Sequence, residues 1–290
     1  MSQVQTQSMA IPRPKPKPRK GYRNPTVPLT LRIIAGVSLF ILLAPMVVVI
    51  LAGLNSGDHL SFPPKGLSLR WIIAFFQSDS FLPAYGFSLV VALVTMVFST
   101  ILGTTISLFL VRTKFRGQEV VRAFFMSPLM LPGIVLGLSL YLFYISIDIG
   151  LSRSIAGLII GHVLVTCPYV IGTVSAALTG FDISLEEAAR SLGANRWQTF
   201  RKVTLPVITP GIVAGATFAF IVSFGQFDVS LFLSPPDATP LPMALYVSLR
   251  YTFEPTAAAA GIFAIFLVVV SMLFAARMAN LKRLANVNFS

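Results

Sequence analysis

Charge is what this chain of 290 residues has least of: Asp, Glu, Lys and Arg together make up 11%, against about 25% in ordinary soluble domains. Hydrophobic residues reach 55% and the mean hydropathy is +0.82, which excludes an ordinary soluble globular chain. Cysteine occurs once, as Cys167, so an intramolecular disulfide and a cysteine-based metal centre are excluded. Inside an apolar stretch, Cys167 reads as a small buried hydrophobe. The two histidines, His59 and His162, have no neighbour at metal-ligand spacing, and neither a metal nor another cofactor is expected. No Gly-x-x-x-x-Gly-Lys-Ser/Thr phosphate loop is present, so the chain is not itself a P-loop ATPase.

What the chain does have is long uncharged runs. Six are 22 residues or longer: 33–57, 80–111, 123–147, 154–181, 203–227 and 255–276. A helix needs about 20 residues to cross a bilayer, whereas a transmembrane barrel would show alternating segments of about ten, and none are present. The expected fold is all-α with six membrane spans, at about 31–54, 83–111, 123–147, 155–179, 206–233 and 256–276, making one membrane domain over 30–280. Two short outer helices are expected between spans. Trp71, Ile72, Phe75 and Phe76 share one helical face, and Leu241, Leu245, Leu249 and Phe253 recur every four residues. The pairs Gly133/Gly137, Gly157/Gly161 and Gly211/Gly215 let spanning helices approach closely.

Eighteen of the 22 Lys and Arg fall on one side of these spans, leaving Lys65, Arg70, Arg153 and Arg250 on the other. The positive-inside rule therefore places both termini in the cytoplasm, and the net charge of +12 is a topology signal. A nucleic-acid partner would need a basic soluble face, which no segment supplies. Residues 1–29 carry the run Pro12 to Lys20 and six prolines before Leu29. They read as a disordered cytoplasmic tail without the apolar core of a signal peptide. Residues 281–290 read as a second cytoplasmic tail.

The connection from Gly180 to Leu205 is about 26 residues long, where a simple helix-to-helix link takes about 2–8. It is helix-coded. Ser184 with Glu187 three residues later is a capping-box pattern, Glu186 and Glu187 favour a helix N-terminus, and Gly193 sits where a glycine stops a helix. A second helix, about 194–203, runs into Leu205-Pro206. The expectation is a helix-turn-helix outside the membrane that exposes Leu185, Leu192, Trp197 and Phe200, apolar knobs that call for a partner.

Glu187-Ala188-Ala189, Gly193 and Val203-Thr204-Leu205-Pro206 resemble the EAA signature of ABC-type importer permeases: Glu-Ala-Ala, Gly six residues after the Glu, then Ile-x-Leu-Pro. Here Val203 stands for the Ile. The resemblance spans residues 30–280. It implies a type I importer permease, a transport subunit rather than an enzyme, whose loop 180–205 docks on a cytoplasmic dimer of ATPases. Leu185, Glu187, Ala188, Ala189, Gly193, Leu205 and Pro206 would be the coupling residues. It further implies a second permease subunit, expected as a heterodimer, an extracytoplasmic solute-binding protein, and a place in the bacterial inner membrane. The phrase from Leu185 to Ala194 is most similar to the branch that imports polyamines and related small organic solutes. That branch has a Ser-Phe-Asp-Asp/Glu cluster in span five, where this chain has Ser223-Phe224-Gly225-Gln226-Phe227-Asp228. Asp228 is thus the one acid there.

Ionisable residues within spans are functional candidates, so Asp228, Gln226, Ser223, His162 and Tyr169 are the candidate solute pathway. Counting about 1.5 Å per residue from Pro206 puts Asp228 roughly 33 Å along span five, so it is either a pathway residue or a carboxylate at the outer headgroups. His162 is alternatively a hydrogen-bonded packing residue. Two other classes remain open. Gly137-Leu138-Ser139 with His162 reads as the Ser/His pair of an intramembrane protease, and a stand-alone secondary transporter would need no EAA loop.

Overall fold

A computed structural model of the chain describes residues 28–59 and 62–287. Contacts divide the chain into two units, Met1–Ala44 and Pro45–Ser290. The expected tail 1–29 lies outside the described residues except for Pro28 and Leu29. In the first unit the described chain is the beginning of α1 (Leu29–Gly53), whose apolar side chains, Phe40 and Leu42 among them, are exposed. This is the surface of a helix made for lipid or for another helix rather than for water.

The second unit contains the end of α1 and eleven further helices: α2 (Arg70–Phe76), α3 (Phe81–Arg112), α4 (Gln118–Met126), α5 (Gly133–Ile147), α6 (Ile155–Thr179), α7 (Ser184–Ser191), α8 (Arg196–Thr199), α9 (Leu205–Phe224), α10 (Asp228–Leu233), α11 (Leu241–Tyr251) and α12 (Thr256–Val287). Among the described residues five helices are long and apolar enough to cross a membrane, and a sixth span is formed if the bent pair Gln118–Leu129 and Gly133–Ile147 is taken as one. No strand occurs among the described residues, so the fold is all-α.

The expected single span at 123–147 is broken, with a bend of 102° between its halves. Pro128 and Pro132 account for it. Neither offers a backbone N–H, and each restrains the residue before it. Ser127–Leu129 tightens into a 3-10 turn, and Pro132 becomes the N-cap of α5. The expected span 206–233 is also revised. Its helix begins earlier, at Arg196, passes through a π turn over Phe200–Thr204, and ends at Phe224; α10 then sets off separately. The expected second hairpin helix, 194–203, is thus the first part of this span. Pro206 just beyond the π turn cannot donate to the ladder, which is a usual cause of such a widened turn. At the C-terminus α12 continues to Val287, so residues 281–287 of the expected tail are helical, and 288–290 lie outside the described residues.

The core of this unit is the mutual packing of α3, α6 and α9. Small residues make it possible: a Cβ built at Gly103 on α3 would lie 2.6 Å from Val170 Cβ on α6. Without a hydrophobic force between helices in lipid, such close approach and buried hydroxyl bonds hold them together. Ser99 Oγ lies 2.6 Å from Thr166 Oγ1, and Ser107 Oγ donates to the Ile171 carbonyl at 3.2 Å. On a second flank α2 lays Phe75 against Phe263 of α12, rings stacked at 4.6 Å, while α11 buries Leu241 and donates its backbone N–H to Ser88 Oγ on α3 at 2.8 Å.

Candidate functional site

The loop between α6 and α9 is a hairpin of α7 and α8. The expected Ser184–Glu187 capping box does not form: Ile183 is the N-cap and no side chain caps the helix. Instead the Asp182 carboxylate accepts the Ser184 N–H at 3.0 Å, and that bond holds Asp182 below the usual carboxylate range. The C-terminal end is a Schellman motif. Gly193 has φ +89°, its N–H donates to the Arg190 carbonyl at 2.9 Å, and the Ala194 N–H reaches the Ala189 carbonyl at 3.1 Å. A capping box does occur one helix later, where Asn195 and Gln198 exchange bonds and start α8.

Glu186, not Glu187, is the residue the fold buries. It is 4% exposed. The Arg112 guanidinium, at the last turn of α3, donates to both its carboxylate oxygens, at 2.7 and 2.6 Å. The Thr204 hydroxyl of the π turn donates to Oε1 as well, and Arg190 stands 3.8 Å away. Arg112 also lies over the Phe181 ring, 5.6 Å from its centroid. The bond from Arg112 is the main reason the Glu186 carboxyl is held below its ordinary range. Such a group contributes stability above the unfolded-state value, about 4.3, and that contribution is lost as pH falls through the lowered folded-state value. At neutral pH the tie is therefore fully charged. Motif reading passes over it because its partner stands 74 residues earlier.

Around that anchor the coupling residues divide. Leu185, Glu187, Ala188 and Gly193 are exposed, with Ala189 and Leu205 half-buried. Leu192 is 89% exposed and Trp197 is 66% exposed. Phe200, expected on the surface, is half-buried and stacks on Trp197 at 5.8 Å. Leu205 and Pro206 lie past the π turn, in the spanning helix rather than on the hairpin surface.

The second cluster forms where α9 gives way to α10. His162 of α6 is 1% exposed; its Nδ1 is 2.8 Å from Ser223 Oγ on α9 and its Nε2 is 3.0 Å from Ser230 Oγ on α10. Ser230 spends its one hydroxyl proton on the Gln226 carbonyl, at 2.6 Å. A neutral imidazole has one donor and one acceptor, so Nε2–H donates to Ser230 and Nδ1 accepts from Ser223. His162 thus ties the two helices across their break. Both ring nitrogens are engaged there, while Ser139 is exposed on α5, so the Ser/His protease pairing does not exist. Asp228 is not at the outer end of a straight helix. Its carboxyl group packs against Gly133, the first residue of α5 and fourteen residues from that helix's other end. α10 reaches α5 so closely because a Cβ at Gly137 would lie 2.9 Å from the Asp228 carbonyl. Of the expected pathway residues, His162 and Ser223 are brought together, Gln226 joins them through the backbone carbonyl that accepts from Ser230, and the Asp228 carboxyl lies against Gly133 of α5 instead; Tyr169 is two turns further along α6 and packs on Phe218, ring centroids 6.3 Å apart.

His162→Ala removes the tie and leaves the buried Ser223 hydroxyl without its acceptor, at about 1–3 kcal/mol. The expected result is a purified protein that loses its fold in detergent at lower temperature, readable by size-exclusion after graded heating.

Spanning helices packed through glycines, with a helical hairpin held out at one end and polar side chains gathered at a break within the bundle, define a polytopic membrane transport subunit. Residues 99–283 match the family described as binding-protein-dependent transport system inner membrane component, and the chain belongs to that family. It is 33% identical to the putrescine transport system permease protein PotI of Escherichia coli (strain K12), over 74% of this chain and 78% of the relative. Identity to the spermidine/putrescine transport system permease protein PotC of the same strain is 29%, over 73% and 79%. Among solved structures, a chain of a bacterial alginate ABC transporter in complex with its alginate-bound periplasmic protein superposes with TM-score 0.65 at 20% identity, covering 87% of this chain and 93% of that one. A chain of the inward-facing MetNI methionine ABC transporter gives 0.57 at 21%, covering 70% and 96%. These two show the fold. The protein is therefore a multi-pass permease subunit of an ABC importer, and not an enzyme.

Proposed function

We propose that this permease forms half of the translocation path for a polyamine or a related small organic solute, delivered by an extracytoplasmic binding protein and driven by a separate ATPase dimer. In this reading α7 is the docking helix, with Leu185, Glu187, Ala188, Ala189 and Gly193 at the ATPase, and Leu205 and Pro206 carry movement into α9. The observation that supports it best is the hairpin itself: a short helix fixed through its buried Glu186 to Arg112 yet presenting Leu192 almost wholly to solvent. A second permease subunit, expected to be a different chain, completes the path. Both termini lie in the cytoplasm and the loop of Asp237 faces outward. The reading is supported by the EAA spacing and by the polyamine permeases among the relatives.

Reporter fusions test the orientation. A reporter after Ser290, or inserted between Gly117 and Gln118, is expected to be cytoplasmic, and one within 234–237 external; the reverse pattern overturns the assignment.

For the substrate, Asp228 supplies the negative charge that a cationic amine would meet at the α9–α10 break. A hydrogen bond to a charged group is worth about 1.5–3 kcal/mol. Asp228→Asn is then expected to lower ATP-dependent putrescine uptake at limiting substrate by tenfold or more, as 1.4 kcal/mol is about tenfold, with the complex still assembled. Uptake equal to wild type would leave Asp228 a structural carboxylate beside Gly133.

A further inference from the structure

We propose that Glu186, with Arg112 and Thr204, is the positioning residue that passes movement of α7 to the spanning helices α3 and α9; this rests on the reading of α7 as the docking helix.

The EAA motif draws attention to Glu187, but Glu187 is exposed, and among the described residues its side chain has no hydrogen-bond or ion-pair partner. Glu186, its neighbour, points the other way. It accepts from the end of one spanning helix through both Arg112 nitrogens and from the π turn that opens another through Thr204. A carboxylate gripped bidentately by a guanidinium is fixed in angle as well as distance. The pair also sits at the ends of two helices whose dipoles favour it: Arg112 at the C-terminus of α3 and Glu186 in the first turn of α7. Pulling α7 therefore draws on α3 and on the start of α9 together.

The π turn is where a force on Thr204 is easily taken up. Its widened ladder precedes Pro206, which contributes no N–H, so the helix is already relieved of one bond at that level. The other contacts of α7 are less suited to transmission. Asp182 and Ser184 bond locally, Arg190 is 54% exposed, and the Schellman turn at Gly193 ends in open space. By this account the exposed face of α7 binds and the buried face transmits.

Glu186→Gln keeps the size of the side chain and removes the charge, but leaves Arg112 unpaired. The double variant Glu186→Gln/Arg112→Gln removes both charges, so that no lone buried charge is left to unfold the site. Both are made in a Cys167→Ala background with Gln226→Cys as a reporter at the α9–α10 break. Each is purified from membranes together with its co-expressed ATPase and, in proteoliposomes, treated with a membrane-impermeant maleimide, with and without ATP plus vanadate. With Glu186 and Arg112 intact, ATP plus vanadate is expected to change the labelling rate of the reporter by about fivefold or more, the lower end of ordinary site-to-site coupling. Both variants are expected to retain as much ATPase per permease as the parent and to lose that change. Retained ATPase with the labelling change intact overturns the role of Glu186. Loss of the ATPase from both variants also overturns it, since the pair would then shape the docking face rather than transmit from it. A parent that retains no ATPase overturns the docking reading itself, which is a separate failure.

Discussion

Gly193→Val is expected to cut transport about tenfold or more while leaving the permease folded in the membrane. The residue has φ +89°, a region open to glycine and strongly unfavourable to a β-branched side chain. A Cβ there meets nothing within 4 Å, so the penalty is conformational, with no clash inside the chain. Placing an L-residue in left-handed backbone costs about 1–2 kcal/mol. The turn is expected to relax by abandoning the Schellman bonds from Gly193 and Ala194, which swings Leu192 and α8 away from their positions. Against the 5–15 kcal/mol that usually holds a domain, the loss is too small to unfold the bundle. Against a docking surface that needs α7 and Leu192 in fixed register, it is enough: 1.4 kcal/mol is already about tenfold in affinity. Membrane level measured by immunoblot is expected to stay near wild type and ATP-driven uptake to fall about tenfold or more. Equal loss of both would mean that the loop is needed for folding instead.

Gly215→Leu is expected to do the opposite, destroying the fold and with it everything downstream. A Cβ built at Gly215 on α9 lies 2.5 Å from the Thr173 hydroxyl and 2.9 Å from Val170 Cα on α6. Thr173 has some freedom to rotate, but the Val170 backbone has none, so α9 would be driven off α6. Overpacking a core by a few methylenes costs about 1–3 kcal/mol; a whole isobutyl group against helix backbone belongs at or above the upper end. Yield of monodisperse protein in detergent is the measurement, and Gly86→Leu on α3, where a Cβ meets nothing within 4 Å, is the matched control. Collapse of Gly215→Leu with survival of Gly86→Leu is the expected pattern. Equal yields would contradict the packing assigned to α6 and α9.

These two glycines mark what a sequence of this kind reveals. The spacing of charges located the apolar runs, because burying a charge in hydrocarbon is costly enough to leave a visible gap. Gly193 was legible as a helix stop, since its residue type and its place after Leu192 carry the same physical message. The breaks were not legible. Proline is tolerated in spanning helices when neighbours satisfy the freed carbonyls, so Pro45 within α1 and Pro132 before α5 look alike in sequence, although only the second accompanies a bend of 102°. The break before Asp228 carries no mark in the sequence either. A count from Pro206 assumes an unbroken helix, whereas the chain turns after Phe224 and sets Asp228 beside Gly133. The role of Glu186 depends on Arg112, and no local pattern pairs residues 74 positions apart. Ser184 and Glu187 matched a capping box by spacing alone, yet Asp182 reached the free N–H first.

The central claim is that the exposed face of α7 and its turn hold an ATPase, and Leu192, 89% exposed with no work to do inside the chain, is the most direct place to test it. The measurement is the amount of ATPase recovered per mole of permease after detergent purification of the co-expressed complex, wild type against Leu192→Asp. The account predicts stoichiometric recovery for wild type and at least a tenfold loss for the variant, at equal permease yield; equal recovery from both, with normal transport, would contradict it.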